Sequence, residues 1–147
     1  MKKVKGITRW ILIVSAATVL ILNACSGTNI SLDGSSWFLK SYQDSTGETV
    51  NALSRSTTTA LFQANQVTGI TGCNNYSASY QATRNKLSFG PVSTTRKACS
   101  TPLGIMQQEN AFLAALDSAV SYKISRNSLE LIDTKGNLLL TFRRASE

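Results

Sequence analysis

The residue types that carry most reaction chemistry are sparse in this chain, and those present converge on one short stretch. Ile70-Thr71-Gly72-Cys73-Asn74-Asn75-Tyr76 brings together a glycine, a cysteine, two asparagines and a closing aromatic. Glycine and asparagine take positive φ cheaply, so the backbone here turns sharply; the two amides either satisfy that turn or offer donors and acceptors to a ligand. Histidine is absent from all 147 residues, which removes the commonest general base and the commonest nitrogen ligand for metals. Ser-His-Asp and Cys-His arrangements are excluded for the same reason. Gly69-Ile70-Thr71-Gly72 lacks the lysine and spacing of a phosphate loop. No spacing argument brings Glu109 together with Glu130 or Asp133 as a carboxylate pair. The residues therefore predict a protein that is not an enzyme, with no catalytic group, no metal and no cofactor.

Cysteine usage depends on the N-terminus. Lys2, Lys3, Lys5 and Arg9 precede an apolar run from Trp10 to Leu22, the order of a secretory leader and too short for a comfortable membrane span. The run ends in Leu22-Asn23-Ala24-Cys25, which resembles the lipobox of bacterial lipoproteins and implies lipidation of Cys25. On this reading residues 1–24 are the signal peptide, residues 25–34 the lipidated cysteine and a small, polar tether, and residues 35–144 the domain. Ser26, rather than aspartate, follows the modified cysteine, which favours the outer membrane with the domain in the periplasm. Four of the fifteen Lys and Arg lie in the leader, so the formal charge of +7 falls to +3, eleven against eight, once it is removed. Without a basic cluster, that charge argues against nucleic acid as a partner and leaves weak attraction to anionic lipid. With Cys25 assigned to lipid, Cys73 and Cys99 remain as an even pair in an oxidising compartment, which predicts a disulfide. They lack the Cys-X-X-Cys spacing of a redox-active pair. Closing that loop restricts the unfolded chain by about 3–4 kcal/mol on the loop-entropy argument.

The elements that position these residues read mostly with period two. Trp37 to Tyr42, Thr57 to Ala64, Gln66 to Ile70, Tyr76 to Ala82 and Lys86 to Phe89 have strand character, with Tyr76, Ala78, Tyr80 and Ala82 on one face. Gln43 to Ser56 is a polar loop or hairpin connection. After Cys99 the period changes: Ser100 or Thr101 caps a helix, Pro102 suits its first position, and Leu103 to about Ser118 continues it. Ile105, Met106, Phe112, Leu113, Leu116 and Val120 form its apolar side. Glu109 falls inside that side, so its carboxylate must be paired or hydrogen-bonded. The predicted structural role is to accept N–H groups from the Gly72-to-Asn75 corner or to pair with Arg96 or Lys97; a ligand-facing carboxylate in a barrel mouth is the functional alternative. Strand character returns in Val120 to Ser125, Ser128 to Ile132 and Leu138 to Arg143. The fold class is mainly β with one helix (α+β): a small curved antiparallel sheet or half-open β-barrel covered by a single α-helix. The aromatic residues Trp37, Phe38, Tyr42, Phe62, Tyr76, Tyr80, Phe89, Phe112 and Tyr122 either fill its core or line a cavity for an apolar ligand.

The lipobox, Gly72-Cys73-Asn74-Asn75-Tyr76 followed by Tyr80, Ala98-Cys99 before the helix, Glu109 with Phe112, Leu113 and Leu116, and Leu129-Glu130-Leu131 before the last strand together resemble the META domain family, which includes HslJ-like bacterial lipoproteins. The resemblance covers roughly Ser35 to Arg143. Ala78 stands where the family pattern carries glycine. The resemblance implies a small barrel-like antiparallel fold with a helix, no established enzymatic activity, links to heat stress and novobiocin resistance, and, through likeness to a secretion pilotin, chaperoning of membrane machinery. The expected protein is a monomeric, membrane-anchored envelope component that works through a protein partner. The rival expectations are a barrel for small hydrophobic ligands or lipids and a pilotin-like chaperone that receives a partner's helix.

Overall fold

The period-two patterning from Ser35 onward is realised as strands that pair in sequence order almost throughout. The computed structural model describes residues 30–145; the expected leader, lipidation at Cys25 and most of the tether lie outside the described residues. Strands β1 (Ser35–Gln43), β2 (Thr49–Asn51), β3 (Thr59–Gln63), β4 (Gln66–Ile70), β5 (Asn75–Thr83), β6 (Lys86–Phe89) and β7 (Ser93–Thr94) precede helix α1 (Ile105–Ser118), and β8 (Ser121–Ile124), β9 (Ser128–Ile132) and β10 (Leu138–Arg144) follow it. The antiparallel order β10-β9-β8-β6-β5-β4-β3-β1 closes on itself because β10 also pairs with β1. Eight strands thus form a closed barrel, not a half-open one. Closure leaves no unpaired outer edge between the first and last strands, which is the usual hazard of an open sheet. The short strands β2 and β7 hang on β1 and β5.

Two irregularities explain where the alternation of buried residues changes phase. In β1, Ser35, Trp37 and Leu39 point inward, the register against β10 slips between Leu39 and Ser41, and the next inward residue is Tyr42. The same slip lets β1 change partner on its other edge, from β3 at Ser35–Phe38 to β2 at Ser41–Gln43. A second slip between Leu138 and Leu140 buries both Leu139 and Leu140. An extra residue in one strand reverses which face each following side chain takes.

The interior is filled. Trp37, Phe62, Phe112, Phe142, Leu129, Leu131, Leu140 and Val67 are fully buried, and Phe112 of the helix stands edge-on to Tyr76 at 5.2 Å and to Phe142 at 6.2 Å between ring centres. Phe62 meets Tyr80 edge-on at 5.0 Å. Of the aromatic residues singled out from sequence, Phe38 and Phe89 are half-buried and the rest are core. Ala82, expected on the face of Tyr76, Ala78 and Tyr80, is exposed because β5 runs past its β4 partner before it turns at Arg84. At one rim sit the helix and the β1–β2 connection. At the opposite rim sit the entering chain, the tight turns Ala64–Asn65, Arg84–Asn85 and Arg126–Asn127, and the end of β10.

The helix begins later than its sequence suggests. Gly104, at φ 88 in the left-handed region, is the N-cap, there is no side-chain cap hydrogen bond, and Ser100, Thr101 and Pro102 lie in the preceding turns. A left-handed residue cannot belong to a right-handed helix, so the glycine that looked interior is the boundary. At the other end the extended Ala119 stops the helix. Val120, expected on its apolar side, instead leads into β8 and is 39% exposed.

Gly69 pairs in register with Tyr76, whose hydroxyl crosses to donate to the Thr59 carbonyl at 3.0 Å. A methyl at Gly69 would land on that same carbonyl oxygen. Gly69→Ala is therefore expected to cost about 1–3 kcal/mol in chemical denaturation, in line with other overpacked sites. Burial, together with its hydrogen bond to Asp33 and the charges around it, pushes the Tyr80 phenol up to about 12 from 10.0. A raised folded-state value stabilises the fold below pH 10 and loses that contribution as pH climbs toward 12. Alkaline titration followed by phenolate absorbance and circular dichroism should show falling stability in that window, and Tyr80→Phe should flatten the fall.

Candidate functional site

Helix α1 carries two polar residues in its buried stripe, and each fastens a different loop. The stripe is Ile105, Gln108, Glu109, Phe112, Ala115 and Leu116. Gln108, fully buried, accepts the Leu53 N–H at 2.8 Å and donates to Ser56 Oγ at 3.1 Å and Thr58 Oγ1 at 3.0 Å. Glu109 faces the corner before β5. Its Oε1 accepts from Asn74 Nδ2 at 2.8 Å, and its Oε2 accepts from the Asn74 backbone N–H at 3.2 Å and from the Thr71 hydroxyl. The helix start, which lacks a side-chain cap, is thus held from both sides by its own second turn.

Asn74 is the hub of the corner. Its Oδ1 accepts from the Lys97 N–H at 2.7 Å and from Thr95 Oγ1 at 2.8 Å, while its Nδ2 also reaches the Lys97 carbonyl at 3.1 Å. The Thr71 N–H closes the turn onto the Asn74 carbonyl at 2.8 Å. Of the two structural roles expected for Glu109, the structure has the first, acceptance of N–H groups from the corner; Lys97 takes part through its backbone, and the described partners of the carboxylate include no Lys or Arg. Cys73 and Cys99 form a disulfide with Cα atoms 6.0 Å apart, tying the segment that carries Lys97 to the same corner. Gly72, at φ 105, leaves room for Ile105 of the helix. Tyr76 is buried, and burial drives its hydroxyl far above the usual phenol range. Asn75 stands apart: its side chain is exposed and only its backbone joins in, pairing with Thr95.

Sequence reasoning named Gly72, Cys73, Asn74, Asn75, Tyr76, Cys99 and Glu109, and the structure brings all of them to one rim. It missed Gln108 and Thr95, and gave Thr71, inside the stretch it singled out, no role of its own. For Gln108 a signal was available, because it lies one turn from both Ile105 and Phe112 on the apolar stripe. For Thr95 there was none, since the contact depends on a loop twenty residues from its partner.

On the Gln108 flank of the helix, between α1 and the β1–β2 connection, lies an open cleft of about 790 Å³. Its floor is Ala111, Ala114 and Ala115 of the helix with Val50, Leu53 and Leu139, and its edges are Tyr42, Asp44, Asn51, Gln107 and Asn110. The change of partner by β1 opens it, since β2 departs from the barrel wall there. Burial raises the Tyr42 phenol above its usual value and the nearby Asp44 adds to the effect. Asp44 itself is lowered, by hydrogen bonds from the Thr46 hydroxyl and backbone. Among the described residues no group of His, Cys, Asp and Glu is placed to hold a metal, and no helix is long and apolar enough to cross a membrane.

Fold and corner together define a small closed β-barrel of eight strands whose one helix is clasped by a buried carboxylate and a disulfide. The META domain model matches residues 30–146, and the chain belongs to that family. It is similar to a protein from Burkholderia xenovorans solved by NMR, at 30% identity over 79% of this chain and 85% of that one, with a TM-score of 0.65. A DUF4847 family protein from Bacteroides vulgatus shares the fold at 15% identity and a TM-score of 0.53, covering 78% of this chain and 94% of that one. Comparison with curated proteins gives no match. None of these relatives is described by a reaction.

The clasp predicts the response to Glu109→Gln. Every group facing the carboxylate from Asn74 is a donor, so a glutamine amide must oppose N–H with N–H. The expected loss is about 2 kcal/mol, a fall in Tm on the order of 5–10 °C. Unchanged stability would overturn this structural role and assign Glu109 to ligand contact.

Proposed function

We propose that this protein is a non-enzymatic outer-membrane lipoprotein whose periplasmic barrel supports envelope integrity or stress tolerance, such as resistance to heat and novobiocin-type antibiotics, through protein contacts. The observation that carries the reading is the location of open space. The barrel interior is packed with Trp37, Phe62, Phe112 and Phe142, whereas the cleft between α1 and the β1–β2 connection lies outside it. A filled interior favours a docking role over the small hydrophobic-ligand or lipid-binding barrel. The absence of histidine and the structural engagement of Glu109, Asn74 and both barrel cysteines leave little for catalysis. The cleft also supports a second reading, a pilotin-like chaperone that receives an apolar segment of a membrane or secretion component.

Crosslinking in intact envelopes tests the reading. The expected result is capture of a discrete envelope protein by a photoreactive residue at Asn110, and loss of that product in Ala114→Glu, which places a charge on the cleft floor at an exposed helix position. Ala114→Glu should leave the unfolding free energy within about 0.5 kcal/mol of the parent, as exposed substitutions do. Cys25→Ser should abolish lipid labelling. Capture that is indifferent to Ala114→Glu would move the contact elsewhere, and a parent protein recovered from the soluble periplasm would overturn the anchor.

A further inference from the structure

The charge of the barrel is unevenly divided between its two rims. Residues 30–145 carry eleven Lys and Arg and seven Asp and Glu. The helix half holds Lys40, Arg55, Arg96, Lys97 and Lys135 against Asp44, Glu48, Glu109, Asp117 and Asp133, five of each sign. The half where the chain enters holds Arg84, Lys86, Lys123, Arg126, Arg143 and Arg144 against Asp33 and Glu130, six against two. All the excess positive charge is therefore at the rim from which the N-terminal segment leaves, beside Asp33 and Gly34.

The cations of this rim come from three separate pieces of chain. Arg84 is on the β5–β6 turn, Arg126 on the β8–β9 turn, and Arg143 and Arg144 on the last strand. Two guanidinium groups are fixed in place: Arg144 stacks on Trp37 at 4.6 Å and donates to the Arg126 carbonyl at 2.7 Å, and Arg143 stacks on Phe38 at 4.6 Å. Arg84, Lys86 and Arg126 are exposed. Glu130 lies opposite Lys123 in the β8–β9 register, and Asp33 accepts the Tyr80 hydroxyl.

The geometry points to this rim as a docking face for anionic phospholipid headgroups of the leaflet that holds the anchor, so that the barrel stands on the membrane with its helix and cleft turned away. Guanidinium groups match phosphate in shape and charge, and a basic residue near an anionic surface contributes about fivefold to binding. The face rests on the anchoring reading only for the identity of the leaflet; the charge division is independent of it.

The test uses the protein as cells process it, reconstituted in phosphatidylcholine vesicles with or without phosphatidylglycerol. A photoreactive residue is placed at Asn127 on the charged rim or at Thr134 on the helix rim. Expected is capture of phosphatidylglycerol at Asn127 several-fold above its share of the bilayer, falling to that share in high salt, and little lipid capture at Thr134. Neutralising Arg84, Lys86 and Arg126 to Gln should abolish the enrichment. Neutralising Arg55, Lys97 and Lys135 to Gln, an equal change in net charge, should leave it intact. Capture in proportion to bilayer composition, or equal effects of the two triple variants, overturns the docking face. Carbonate extraction of the same vesicles separates the two readings: protein that washes off yet still shows enriched capture refutes the anchor alone, and protein that stays without enrichment refutes the face alone.

Discussion

The contact between Glu109 and Asn74 is the constraint on which the arrangement of this domain depends. A barrel of eight short strands has two open rims, and a helix laid over one of them brings a carboxylate into a dry setting. That is tolerated only because the corner before β5 turns a full set of donors toward it: a hydroxyl, a backbone N–H and a side-chain amide. The same asparagine spends its remaining capacity on the backbone of Lys97, so one residue joins helix, barrel wall and the long connection that leads to the helix. The disulfide spans that connection in parallel. Remove the carboxylate and the donors face nothing; remove the asparagine and the charge is stranded.

Gln108 repeats the device on the opposite flank with neutral chemistry. It fills the space between the helix and the segment that joins β2 to β3, and that segment borders the cleft. The cleft therefore has one wall whose position is set by hydrogen bonds and another, β2, attached to the barrel by a single three-residue pairing. The cleft thus lies between a wall pinned to the helix by Gln108 and a short strand outside the barrel ring, so its two sides depend on separate contacts.

The local parts of this fold were legible in its sequence. Strands β4, β6 and β9 begin and end where their alternation does, and Glu109 was visible as a charge inside an apolar stripe. What escaped was set by distant pairing or by backbone geometry. Nothing near Ser35 indicates that β10 will lie beside it, so closure could not be distinguished from a half-open sheet. The phase changes at Leu39 and Leu138 depend on register against a partner strand. Gly104 reads equally well as a helix residue or a boundary until its left-handed conformation is known. Gly69 figured in the sequence only within a stretch that is no phosphate loop, whereas its lack of a side chain lets Tyr76 reach over β4. The charge division between the rims is invisible in a linear count, because Arg84, Arg126 and Arg144 come to the same rim only after the barrel closes.

That closure couples the two ends of the chain in time as well as in space. β1 holds its place between β3 and β10, and its contact with β10 spans about a hundred residues of intervening sequence. Pairings this distant are slow to form because the loop-closure entropy comes before any gain. A chain made from its N-terminus therefore exposes its first strand until the last one arrives. The domain becomes a barrel only once its final strand is free, and anything that guards the nascent chain must cover β1 until then.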